Sequence, residues 1–116
     1  MNIVPATRES MEKFFGFTPK TTVRAWAFEQ DGVIHGVVGM CITGCPFHGF
    51  LGLSDEYREN LRRYPRPLVR VVKQLQNHAS RLGIPVIVSP EENVQEAVRF
   101  IEAMGFENQN GVYVWH

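Results

Sequence analysis

The chain has 116 residues, of which 44% are hydrophobic and 21% are charged, and this size predicts a single globular domain over 1–116. Twelve basic residues balance twelve acidic residues, so the net charge gives no reason to expect a nucleic-acid partner or an anionic membrane. The sequence lacks a run of about eighteen apolar residues and the order of a signal peptide, so we expect a cytoplasmic protein. Nothing in the composition indicates an oligomeric state.

Hydrophobic periodicity predicts a mixture of strands and helices along the chain. Apolar and polar residues that alternate are typical of a strand, and apolar residues at steps of three and four are typical of a helix. The predicted strands span 2–5, 21–29, 33–43, 47–53, 84–88 and 112–115, and the predicted helices span 6–15, 55–63, 67–82 and the stretch between Ser89 and Gly105. The three consecutive strands between 21 and 53 are predicted to form an antiparallel meander.

Local signals mark the ends of these elements. Thr7 and Ser54 are suitable N-cap residues for the first two helices. The sequence Ser89-Pro90-Glu-Glu92 resembles a capping box with proline at the first helical position. Asp31-Gly32 and Asn110-Gly111 are dipeptides that favour tight turns, and the first is a strong signal for a β-hairpin.

The helix predicted over 67–82 is the organising element of the chain. Its apolar stripe must face a core, and the stripe consists of Leu68, Val71, Val72, Leu75, Ala79 and Leu82. Because a helical crossover of this length joins parallel neighbours, strand 84–88 is predicted to lie parallel to strand 47–53. The helix phases predict burial of Val72, Leu75, Val98 and Ile101 and exposure of Arg62, Arg63, Arg66 and Arg70.

The order of these elements resembles that of the GNAT superfamily of acyl-coenzyme A N-acyltransferases. The stretch FEQDGVIHGVVGM is similar to the family's central hairpin, and AVRFIEAMGFENQNGVYVW closely resembles its last helix and closing strand. The resemblance implies an α+β fold of the three-layer type, with a mixed, mostly antiparallel sheet and flanking helices. It also implies acetyl-coenzyme A as a candidate cofactor.

A third stretch, from Arg62 to Pro67, aligns with the family's pyrophosphate loop, Q/R-x-x-G-x-G/A, but Pro65 and Pro67 replace the glycines. Proline has no N–H, and losing two charge-assisted hydrogen bonds of about 1.5–3 kcal/mol each weakens binding by about 3–6 kcal/mol. Arginine side chains can restore part of this loss, or they can simply form a solvated basic surface; the sequence leaves both interpretations open. The cofactor-binding residues that the resemblance implies are Leu53, Ser54, Arg62, Arg63, Arg66 and Leu68.

The family's proton-donating tyrosine, in the pattern F-Y-E-x-x-G-F, is matched here by Ile101, which cannot donate a proton. We interpret Ile101 as a core residue. His48 is the first candidate for a catalytic base, because an imidazole can take a proton from an ammonium nucleophile, although a lone strand histidine is more often structural. The other ionisable candidates are Asp55 and Glu29, with Tyr57, Tyr64 and Tyr113 as possible acids, and of these we select Asp55 and Tyr113.

A metal site is the less favoured interpretation of the cysteines. Cys41, Cys45 and His48 are close in sequence, and His35 is the only obvious fourth ligand. Two cysteines in a cytosolic chain are more often reduced thiols, so no metal is expected.

Two functional hypotheses from different classes follow. The insertion SDEYRENLRR, together with VPATRESMEKFFG and GVYVW, resembles the small GNAT-like proteins encoded by tailed phages and prophages. That resemblance and the altered loop slightly favour a catalytically degenerate, virion-associated or interaction module, whose partner would be a phage virion protein or a host protein. The alternative is a minimal acetyl-coenzyme A-dependent N-acetyltransferase that acts on a small amine or a protein amino group.

Overall fold

The computed structural model describes residues 2–16, 22–61, 63–89 and 95–116. Within these ranges it contains seven strands and four helices. In chain order they are β1 (Asn2–Pro5), α1 (Arg8–Phe15), β2 (Val23–Gln30), β3 (Val33–Cys41), β4 (Phe47–Leu53), α2 (Asp55–Asn60), α3 (Arg66–Leu82), β5 (Val86–Val88), α4 (Gln95–Ala103), β6 (Glu107–Gln109) and β7 (Val112–Trp115). None of the helices in these ranges is long and apolar enough to cross a membrane.

The strands form one mixed sheet in the order β1-β2-β3-β4-β5-β7-β6. Neighbouring strands are antiparallel except β4 and β5, which run parallel after the crossover through α3. The predicted meander, the predicted parallel pair and the mixed, mostly antiparallel α+β fold are therefore confirmed.

The two faces of the sheet carry unequal cores. On one face, side chains of β3 and β4 such as Val38, Met40 and Phe47 pack against the apolar stripe of α3, and α4 lies over the same cluster. On the opposite face, α1 covers a smaller cluster around Met11 and Val37. Burial on both faces explains why β3 is almost continuously apolar rather than alternating.

The predicted stripe of α3 is confirmed from Leu68 to Ala79, all of which are buried, but not at its end. Leu82 is 54% exposed although the helical period places it on the same face, because it is the last residue of α3, where the helix ends at the C-cap Gly83. The start also differs from the prediction: Pro65 is the N-cap and Pro67 is the second helical residue, where a missing N–H is still harmless.

Several predicted boundaries are wrong by a few residues. The helix predicted over 6–15 begins at Arg8, because Thr7 is its N-cap and accepts a hydrogen bond from the Ser10 N–H at 3.0 Å. The helix predicted over 55–63 ends at Asn60, and the strands predicted over 33–43 and 84–88 shorten to the bounds given above. The strand predicted over 21–29 begins at Val23 among the described residues, whereas Pro90 and Glu92 of the predicted capping box lie outside them.

β6 was not predicted, because Glu107, Asn108 and Gln109 show no apolar alternation. It is a strand because the turn at Asn110-Gly111, with φ of 57° and 89°, returns the chain as a hairpin onto β7. The other predicted hairpin turn is confirmed at Asp31-Gly32 by the same left-handed backbone, with φ of 54° and 79°.

Two helix-phase predictions have mixed outcomes. Val72 and Leu75 are buried as predicted, and the side chains of Arg63, Arg66 and Arg70 are exposed; Arg62 lies outside the described residues. Val98 and Ile101 are only half-buried, which corrects the prediction of full burial. The reason is that α4 covers the sheet at a place where a cavity remains beneath the helix.

Candidate functional site

The sheet opens between its two parallel strands. β4 and β5 pair only at Phe47 with Val86 and at His48 with Ile87, although β4 continues to Leu53. Beyond His48, the edge of β4 that faces β5 has no strand partner in the described part of the chain. An open strand edge presents backbone N–H and C=O groups to which an extended ligand can add.

A cavity of about 210 Å³ lies at this opening, on the face of the sheet that α3 and α4 cover. Its wall is almost entirely apolar, with Leu51 and Leu53 from β4, Val88 from β5, and Ile101 and Met104 from the α4 side. Drug-sized pockets are about 300 Å³ or larger, so this cavity suits a slender chain rather than a whole nucleotide cofactor.

Gly49 lines the cavity and leaves room for the side chains of β5. A Cβ atom at this position would lie 2.7 Å from Val88 Cγ1 and 3.3 Å from Val86 Cγ1, which is closer than side chains pack. The glycine therefore lets the β5 side chains approach β4 at the point where the two strands separate.

Two polar side chains, those of Arg58 and Ser89, are among the described residues that line the cavity. Arg58 lies on α2, the inserted helix, and was not among the residues that the sequence singled out. It belongs to no recognisable motif, and only the packing of α2 against the sheet brings it to the opening. A guanidinium at this place can bind an anionic or carbonyl group at the mouth of an apolar slot.

The structure does not bring the three catalytic candidates together in this cavity. His48 is exposed on the opposite face of the sheet, since it pairs with Cys41 and Ile87 and alternates with the residues that face α3. Asp55 is exposed in the first turn of α2, and Tyr113 is buried opposite Val88 without lining the cavity. Catalytic roles for these residues remain predictions.

The residues implied to bind the cofactor are also dispersed. Leu53 lines the cavity, whereas the Ser54 hydroxyl caps α2 and accepts a hydrogen bond from the Tyr57 N–H at 3.1 Å. Leu68 is 1% exposed and belongs to the core. Arg63 and Arg66 are exposed beside the start of α3, and Arg62 lies outside the described residues.

The hydroxyl of Tyr57 occupies the N-terminus of α3. It donates a hydrogen bond to the Tyr64 carbonyl oxygen and lies beside the Leu68 N–H. Burial raises the pKa of the Tyr57 phenol, and the nearby Leu68 N–H opposes that rise. Tyr57 is 2% exposed, so this hydroxyl stays fixed at the N-terminus of α3, where helix N–H groups can otherwise bind an anion.

Most neighbouring backbone N–H groups already donate hydrogen bonds to backbone carbonyls of the same chain. The N–H groups of Arg63 and Tyr64 both donate to the Asn60 carbonyl at 3.0 Å, and the Val69 N–H donates to the Pro65 carbonyl at 3.1 Å. Because the two prolines have no N–H, the stretch from 63 to 69 retains only the N–H groups of Arg66 and Leu68 for an anion, and the Tyr57 hydroxyl lies beside the second. This backbone does not fit the diphosphate of coenzyme A.

The cysteines do not form a ligand set. Cys41 is half-buried and Cys45 is exposed, and both are free thiols. Across the described ranges, no three His, Cys, Asp or Glu side chains come close enough together to hold a metal ion.

The sheet order, the crossover through α3 and the opening between β4 and β5 define a GNAT-like fold, which confirms the fold class predicted from sequence. Among solved structures, the chain is similar to the ribosomal-protein-S18-alanine N-acetyltransferase from Escherichia coli, with a TM-score of 0.68 over 97% of this chain and 88% of that chain. The two sequences are 11% identical, so the likeness shows the fold alone. No protein-family model matches the sequence, and no curated protein matches it.

Proposed function

We propose that this chain is a GNAT-fold binding module without turnover. It accepts a slender chain, such as the pantetheine arm of an acyl thioester, in the cavity between β4, β5 and α4. The observation that carries the proposal is the position of the Tyr57 hydroxyl, which donates to the Tyr64 carbonyl and lies beside the Leu68 N–H at the start of α3. A helix N-terminus that is already hydrogen-bonded internally has little left to offer a diphosphate.

The residues present fit one part of acetyl-coenzyme A and not the other. The open edge of β4 and the apolar cavity suit the pantetheine arm, whose amides can pair with a strand edge. The backbone from 63 to 69 does not suit the diphosphate. When bound, the cofactor would supply an acyl group activated as a thioester, but the chain would hold it mainly by its apolar arm.

The cavity wall supports the absence of turnover. An amine acceptor reaches a neutral-pH site as an ammonium ion and must lose a proton before it can attack a thioester. Among the described lining residues, none is a carboxylate, imidazole, thiol or phenol. Ile101 occupies the wall at the position that resembles the family's proton-donating tyrosine, and its side chain cannot transfer a proton.

A minimal N-acetyltransferase is the second candidate function. The opening between β4 and β5 favours it, because the family's acyl donor is expected to enter there. The similar solved structure is named as an alanine N-acetyltransferase of a ribosomal protein. An acceptor of this chain would be a small amine or a protein amino group, and steady release of free thiol from acetyl-coenzyme A with such an amine would establish this candidate instead.

The first testable prediction compares two ligands. Calorimetric titration should show S-acetylpantetheine binding with an affinity within about threefold of that of acetyl-coenzyme A, because the diphosphate adds few contacts. In Tyr57→Phe, the hydroxyl beside the Leu68 N–H is removed, and acetyl-coenzyme A should bind several-fold more tightly while S-acetylpantetheine binds as before. Tyr64→Phe is the matched control, since it removes the hydroxyl of a tyrosine that is 62% exposed.

Two results would contradict this proposal. One is wild-type binding of acetyl-coenzyme A more than about a hundredfold tighter than S-acetylpantetheine, which would mean that the diphosphate is held after all. The other is equal strengthening of both ligands in Tyr57→Phe, which would locate the effect in the cavity rather than at the start of α3. Circular dichroism of each variant verifies that it is folded.

The resemblance to small GNAT-like proteins of phages supports a setting for such a module. We infer that its biological role is to bind a virion protein or a host protein, in the host cytoplasm or in the particle, through a surface that the fold presents. Mass spectrometry of purified phage particles tests the virion setting directly.

A further inference from the structure

A second opening lies on the other side of α2 from the cavity. It is a cleft of about 730 Å³ between α2, the start of α3 and the turn end of the β2–β3 hairpin. No described residue lines both the cleft and the cavity at the β4–β5 opening, so the two sites are separate.

A buried histidine lines the cleft without a partner for one of its ring nitrogens. His35 is the extra residue of a β-bulge, because Phe28 pairs with Gly36 while Glu29 pairs with Ile34. The residue is 9% exposed, and its Nδ1 atom has no hydrogen-bond partner among the described residues. Buried polar side-chain atoms are nearly always hydrogen-bonded, so this imidazole has hydrogen-bonding capacity that the described residues do not use.

The charges around the cleft define the kind of donor. The carboxylates of Asp31 and Glu56 line it, and His35 is the only basic side chain among its described lining residues. The tyrosines Tyr57 and Tyr64 also line it, and aromatic faces attract organic cations. The described residues provide no three-ligand set for a metal ion.

From the unpartnered His35, the two carboxylates and the two tyrosines, we infer that this cleft binds a primary alkylammonium group. Such a group carries three N–H donors, which can serve an imidazole nitrogen and two carboxylates at once. The group belongs either to a free alkylamine or to a lysine side chain, which share this chemistry.

The test is a titration followed by ¹H–¹⁵N NMR at constant ionic strength. The probes are n-butylammonium chloride, as a free amine, and N-acetyl-lysine methylamide, as a lysine side chain. We expect shifts at the cleft residues with saturation in the millimolar range, and roughly tenfold weaker binding when Asp31→Asn and Glu56→Gln are combined. The matched control combines Glu59→Gln with Glu107→Gln, which changes the net charge equally at exposed positions away from the cleft.

His35→Phe gives an independent readout. Replacing an unpartnered buried polar ring with an apolar ring should raise the melting temperature, while affinity for both probes falls. Tighter binding of the lysine derivative than of butylammonium would identify a protein side chain as the source, and the reverse would identify a free amine. The inference is overturned if neither probe binds, if the double cleft variant binds like the control, or if magnesium chloride displaces the probe at equal ionic strength.

Discussion

The ring of Tyr57 packs in the core, and its hydroxyl lies at the N-terminus of α3. Its ring packs edge-on against Phe28, with centroids 4.8 Å apart, and its hydroxyl joins Tyr64 and Leu68 at the start of α3. Because the hydroxyl lies beside an N-terminal donor of α3, it competes with any phosphate for that donor. Stability and cofactor binding therefore compete for a single N–H group.

Gly36 is required by the packing of the Phe28 ring. A Cβ atom at Gly36 would lie 2.3 Å from Phe28 Cζ and 3.0 Å from Leu53 Cδ2, in the buried centre of the sheet. Gly36→Ala should therefore lower the free energy of unfolding by about 1–3 kcal/mol, measured by urea denaturation. Gly44→Ala is the control, because a Cβ atom there meets nothing within 4 Å. Equal stability of the two variants would refute this account of the Phe28 packing.

His78 should make stability depend on pH. Partial burial against Trp26, with ring centroids 5.7 Å apart, and the charges of Arg24 and Arg81 lower the pKa of His78 below its ordinary value of 6.5. At pH values between the folded and the unfolded pKa of His78, the unfolded chain binds more protons than the folded chain. The stability that His78 contributes is therefore fully present above about pH 6.5 and is lost as the pH falls through the folded pKa.

The measurement is the urea midpoint at about pH 7.5 and about pH 5.5, a pair that brackets the unfolded pKa of histidine. His78→Gln should lose less stability on acidification than the wild-type protein. His48→Gln, at an exposed position on the other face of the sheet, should retain the wild-type loss. A wild-type loss in His78→Gln would show that other groups set the acid sensitivity.

The long helix and the last helix are joined by a buried amide. Gln76 is 8% exposed on α3, and its Nε2 donates to the Met104 carbonyl, just after the end of α4, at 2.8 Å. This bond satisfies one of the carbonyl groups that a helix C-terminus leaves without an intrahelical partner. It also fixes α4 over the cavity that Ile101 and Met104 line.

Gln76→Met keeps the side-chain volume and removes the donor. We expect a loss of about 1–2 kcal/mol in the free energy of unfolding, because a buried carbonyl is left unpaired. Gln74→Met, at an exposed position of the same helix, should change stability by less than about 0.5 kcal/mol. Urea denaturation measures both, and a neutral Gln76→Met would mean that water replaces the lost donor.

The inserted helix α2 lies between the cavity and the cleft and lines both of them. Ser54 caps it, and acidic residues in its first turn suit the helix dipole, so it is stable at a length of only six residues. Arg58 lines the apolar cavity, whereas Glu56 and Asn60 line the polar cleft. One short helix thereby gives the two openings opposite chemical character.

The sequence by itself determined the features that local physics controls. The stripe of α3 predicted which face is buried, Asp31-Gly32 and Asn110-Gly111 predicted tight turns, and the length of the α3 crossover predicted a parallel pair. These signals act over a few residues, through backbone φ preferences and the helical period, so they can be read without tertiary contacts.

Only the tertiary structure determines which residues come together at the candidate sites. The contact between Tyr57 and Leu68 joins residues on two helices, the bulge at His35 depends on the register between β2 and β3, and Arg58 reaches the cavity only through the packing of α2. β6 is a strand only because β7 pairs with it. Each of these features depends on a partner that is distant in sequence or on strand register, and neither is encoded in a short stretch of residues.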